Sequence, residues 1–109
     1  MILTNCYVFS SSGGFFKGSV VVDPPYIVDV GSEGSVSVPS DAEIIDLRGK
    51  YLLPGLIDAH LHLIGLRTGD FVKEPLVTPY ETFVARVVKD LEELIYSGFT
   101  TVADAGSLI

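Results

Sequence analysis

Through the first 50 residues, apolar positions come in short runs broken by Gly, Ser, Pro and Asp. The runs "ILTNCYVF", "GSVVVD", "YIVDV", "VSV" and "AEIIDL" are separated by "SSSGG", "PP", "GSEGS" and "PSD". Short β-type segments between turn residues predict a sandwich or small barrel, with hairpin loops at Ser10 to Gly14 and Gly31 to Ser35. From Tyr51 the period changes. In "LIDAHLHL", Ile57, Ala59, Leu61 and Leu63 fall on one face of a strand, and Asp58, His60 and His62 on the other. A loop, "IGLRTGDFVKEPLV", leads to a helix with Thr78 as N-cap, Pro79 at its first position and Glu81 three residues after the cap. Phe83, Val84, Val87, Val88, Leu91, Leu94 and Ile95 follow helical spacing and predict one buried stripe. Ser97-Gly98 supplies the stop, and "FTTVADAG" reads as a second strand. Strand, crossover helix and strand make a βαβ unit with parallel strands, normally covered on both faces.

Composition narrows the function classes. The 109 residues fit one small fold with a modest core, and 48% are hydrophobic, as in an ordered protein. A net charge of −7 is the wrong sign for a nucleic-acid or anionic-membrane surface. No apolar run approaches the roughly 20 residues that span a bilayer. The first residues, "MILTNCYVFSSS", lack the basic and apolar regions of a secretory signal, so the expected location is cytoplasmic. The single cysteine, Cys6, excludes an intrachain disulfide framework and is expected to pack as a small apolar residue.

The chain's two histidines are His60 and His62, both on the polar face of the first βαβ strand. On a half-exposed sheet that face would simply meet water. In a doubly covered parallel sheet it points into protein, where two neutral imidazoles at i and i+2 can converge on one ion. Asp58 on the same face is then placed to accept from an imidazole and orient it. In a closed barrel of parallel strands the site lies at the C-terminal strand ends, where His60 and His62 fall. Asp104 ends the second strand at that same rim, as a ligand or as a cap of the turn at Ala105-Gly106. Asp70 and Glu74, in the connecting loop, are expected to be solvated.

The stretch "GKYLLPGLIDAHLHL" resembles the signature of the metal-dependent amidohydrolase superfamily. The resemblance runs on through "VVVDPPYIVDVG" and "AEIIDLRGKYLLPG" on one side and "DLEELIYSGFTTVADAG" on the other. Pro54-Gly55, Ile57-Asp58, His60-x-His62 and Gly98-x-Thr100-Thr101-Val102 together are more specific than His-x-His alone. They look most like the imidazolonepropionase-like and Xaa-Pro dipeptidase-like branch, although Ala103 stands where that branch often has Arg. The resemblance implies an α/β fold with a β-sandwich part. Residues 1–53 would form the N-terminal part of the sandwich domain. Residues 54–109 would begin a (β/α)8 TIM barrel, with Pro54-Gly55 as a type II turn between them.

The resemblance also implies a hydrolase acting on carbon-nitrogen bonds of a small amide, cyclic amide or dipeptide-like substrate. Its cofactor would be a divalent metal, with Zn first and Mn, Fe, Co or Ni as alternatives, in one or two ions. His60 and His62 would be ligands and Asp58 their partner. Catalytic residues and the remaining ligands are expected beyond residue 109, because a barrel takes about 250 residues. The isolated chain is therefore expected to be inactive and to associate with itself or with a complementing chain. The rival reading is a non-catalytic domain or subunit that acts through its surfaces.

Overall fold

The computed structural model describes residues 1–63, 69–70 and 72–106. The chain divides into two compact units, Met1–Pro54 and Gly55–Ile109. The first is a sheet of four strands: β1 (Ile2–Phe9), β2 (Phe15–Asp23), β3 (Tyr26–Ser32) and β4 (Ile44–Leu52), in the spatial order β3-β2-β1-β4. It supplies the β-sandwich part of the fold. The β1–β2 hairpin forms at the predicted loop, where Ser10 N–H donates to the Gly14 carbonyl at 3.0 Å. The second hairpin differs from expectation. It turns at Pro24-Pro25, where β2 and β3 pair antiparallel from Asp23 and Tyr26.

Gly31 to Ser35 is not a hairpin loop. The Ser32 carbonyl accepts from Ser35 N–H at 2.9 Å and from its hydroxyl at 2.8 Å, and the chain turns away. The run "VSV" forms no strand. β4 instead pairs in parallel with β1, Ile2 opposite Ile44 and Val8 opposite Leu52. That choice follows from burial. Cys6, Val8 and Val20 form a core joined by Leu3, Phe16, Val22, Leu47 and Leu52, so β4 contributes Leu47 and Leu52 only by lying beside β1.

The β1–β4 ladder is interrupted where Asn5 and Arg48 both take left-handed backbone, with φ of 52° and 53°. Such a conformation is costly for residues other than glycine unless local bonds hold it. Here Oδ1 of Asp46 accepts from the Arg48 backbone N–H at 2.8 Å and from Asn5 Nδ2 at 2.9 Å. These bonds draw the Asp46 carboxyl below the usual carboxylate range, the Arg48 bond first.

The second unit is strand, helix, strand. β5 (Leu56–Leu61) and β6 (Phe99–Asp104) pair in parallel, as the pattern predicts. A short helix α1 (Glu74–Val77) precedes the long helix α2 (Tyr80–Tyr96). Helix α2 starts one residue later than predicted: Pro79 is the N-cap, Thr78 lies outside, and no side chain caps the end. Proline at the cap still presets the entry, since its ψ of 139° is extended and its carbonyl accepts from Phe83 N–H at 2.9 Å. The stop falls where expected. Gly98 has φ of 94° and its N–H donates to the Ile95 carbonyl at 2.9 Å, geometry that suits glycine.

The buried stripe of α2 is narrower than its sequence period. Phe83 and Val87 are buried and pack with Leu63 and Leu91, whereas Val84, Val88 and Ile95 are exposed. Ile57, expected on a covered face, is 69% exposed. Among the described residues of this unit, one helix covers one side of a two-stranded sheet over part of its length, and Ile57, Val84, Val88 and Ile95 stay exposed. Among the described residues no helix is long and apolar enough to cross a membrane.

Candidate metal centre

The site is built at the end of β5. Leu61 is buried and Leu63, partly buried, packs on Phe83 and Val87, so the two leucines pin that end of the strand. Alternation turns His60 and His62 together to the other side. Their ring centroids lie 5.4 Å apart at an interplanar angle of 82°. His60 is exposed, while Nδ1 of His62 is shielded from solvent. Two imidazoles on one tetrahedral ion, with N–metal bonds of 2.0–2.1 Å, have centroids roughly 5 Å apart. The observed pair therefore fits two positions of a metal site. No cluster of three or more His, Cys, Asp or Glu side chains able to hold a metal occurs among the described residues.

The carboxylates do different work. Asp58 is partly buried, and its Oδ1 accepts from the backbone N–H of His60 at 3.1 Å. At the same end of the neighbouring strand β6, Oδ1 of Asp104 accepts from Gly106 N–H at 3.1 Å and closes the turn, while Ala105 N–H donates to the Leu61 carbonyl at 2.8 Å. The turn-cap reading of Asp104 thus has direct geometry behind it. Asp70 is exposed, and its Oδ1 accepts from Lys73 N–H at 2.8 Å ahead of α1.

Glu74 departs from expectation. Rather than solvated, it is 7% exposed, and its Oε1 accepts from Nη1 of Arg86 at 3.1 Å. A carboxylate is held in a buried position when a charged donor compensates its lost hydration, and Arg86 on α2 does so across 12 residues of chain. Nothing in the local pattern announced that pair. Asp70, Lys73, Glu74, Val77, Thr78 and Arg86 line an open cavity of about 410 Å³.

Two residues at the other end of the strands were only half legible. Gly55 is not in the left-handed region, so a turn with positive φ is not the reason for glycine. A β-carbon there would lie 2.7 Å from Cβ of Thr100 and closer still to that threonine's Oγ1 and Cγ2. Gly55 is required because Thr100 of β6 packs on its backbone. Next to it, Leu56 N–H donates to the Gly98 carbonyl at 2.8 Å.

Residues 43–106, which carry β5, α2 and β6 with the His60–His62 pair, match the model of the amidohydrolase family. The chain belongs to this family. It is 34% identical over 103 residues to the dihydroorotase of Caldanaerobacter subterraneus subsp. tengcongensis, covering 94% of this chain and 20% of that enzyme. Over 73 residues it is 36% identical to the imidazolonepropionase of Pseudomonas aeruginosa, covering 62% of the chain and 18% of that enzyme. A prolidase crystallised with N-methylphosphonate-L-proline superposes with a TM-score of 0.82 at 31% identity, over 96% of this chain and 25% of that one. The chain thus spans about a fifth to a quarter of the length of the proteins it resembles.

Proposed function

We propose that this chain is the N-terminal part of a metal-dependent amidohydrolase that hydrolyses a C–N bond in a small amide, cyclic amide or dipeptide-like substrate. The observation that carries the reading is the His60–His62 pair, its centroids 5.4 Å apart at the end of a parallel strand. A bound divalent ion, zinc first among the candidates, would acidify water and polarise the scissile carbonyl. This chain's part is to hold that ion with two neutral imidazoles and to fix the strand end that carries them. The remaining ligands and the proton-shuttling carboxylate come from outside the described residues, so the chain alone is inactive. Exposed apolar side chains such as Ile57, Val88 and Ile95 support association with the rest of such an enzyme, as a complementing chain or a further copy.

Metal analysis tests the reading. In the intact protein, zinc content should fall to background when His60 and His62 are both replaced by Ala, with the circular dichroism spectrum retained. Full occupancy in that double variant sinks the assignment.

A further inference from the structure

The ladder between β5 and β6 carries two opposed irregularities. Leu56 pairs with Phe99 and Ile57 with Thr101, so β6 holds one extra residue, Thr100. Asp58 then pairs with Val102 and Leu61 with Asp104, so β5 holds one extra residue between them. The second shift restores the register that the first displaced, and His60 lies inside it. Bulges are uncommon in parallel pairs and are found where a strand must re-aim a side chain. Within this stretch the His60 N–H donates to Asp58 Oδ1 at 3.1 Å. The two rings that follow from this stretch lie with centroids 5.4 Å apart at an interplanar angle of 82°.

We propose that Asp58 is a positioning residue that acts through the backbone: its carboxylate holds the His60 amide in the bulge, and the bulge turns the two imidazoles toward one point. This deepens the metal-site reading and rests on it. The role needs a side-chain oxygen two residues before the amide, and not a negative charge. It differs from a carboxylate that accepts from an imidazole N–H and raises the ligand's basicity. Asparagine presents the same oxygen at the same place; alanine presents none.

The test compares Asp58→Asn and Asp58→Ala in the intact protein, with two readouts. Hydrogen exchange of the His60 amide is measured without metal, and Zn²⁺ affinity by competition with a chromogenic chelator. Expected for Asp58→Ala is a loss of at least tenfold in His60 protection and about 10–100-fold in Zn²⁺ affinity, the range for lost ligand-supporting contacts. Asp58→Asn should stay within about threefold of the parent in both, and so guards against a fold defect as the cause. Wild-type exchange at His60 in the Ala variant overturns the proposal. So does an Asn variant that binds Zn²⁺ as weakly as the Ala variant while its His60 amide stays protected, because the carboxylate's charge is then the active feature. If the parent takes up no Zn²⁺, the metal reading falls, and the exchange comparison alone decides the role of Asp58.

Discussion

Replacing Gly55 by alanine probes how β5 is seated on β6. The new methyl would lie 2.7 Å from Thr100 Cβ and closer to both branches of that side chain. All three atoms belong to one β-branched residue, whose χ1 has little freedom, and Thr100 is itself the extra residue of a bulge. No flexible end can swing away, so the strands must separate. Overpacking of this kind costs about 1–3 kcal/mol, and the rigid obstacle places Gly55→Ala near 3 kcal/mol. The assay is urea unfolding, together with exchange of the Leu56 amide that bonds the Gly98 carbonyl. Thr100→Ala removes two of the three obstructing atoms, so the double variant should recover about 2 kcal/mol of coupling. A Gly55→Ala cost below about 0.5 kcal/mol, or a double variant no better than the single, refutes the packing argument.

Phe83→Ala empties a position that is 5% exposed and packed with Val87, Leu63 and Leu91; unfolding should show a loss of about 3–5 kcal/mol. Asp46 makes a pH prediction. Its folded pKa lies below its unfolded one, so its contribution is full above about pH 4 and is lost as pH falls through the folded value. Asp46→Ala should flatten the acid limb of a stability-versus-pH curve, and an unchanged limb contradicts the assignment.

What could be read from the sequence was mostly local. The β1–β2 hairpin, the parallel β5–β6 pair and the Ser97-Gly98 stop each follow from residues adjacent in the chain. The histidine pair stood out because period 2 places i and i+2 side by side. Contacts made by tertiary packing were silent. Glu74 is buried only because Arg86 reaches it from another element, and β4 lies beside β1 only because the core needs Leu47 and Leu52 there. Asp58 was visible as a partner of the histidines, but its acceptor role toward a backbone amide depends on a bulge that alternation conceals. Val84, Val88 and Ile95 show the converse: their spacing asks for burial that one short sheet does not supply.

The order in which β1 finds its neighbours has a consequence for synthesis. β2 follows it by a short turn, but its other partner is distant: Ile2 waits for Ile44. At about 5–20 residues per second, the 21–29 residues from the end of β2 to β4 leave the nascent β1 edge unpaired for roughly 1–6 s after its hairpin can close. In that interval its backbone can be captured by any neighbouring chain that offers a strand. Exchange of β4 between two nascent copies is therefore the misassembly to look for when this protein is overproduced, and slower translation lengthens the exposure.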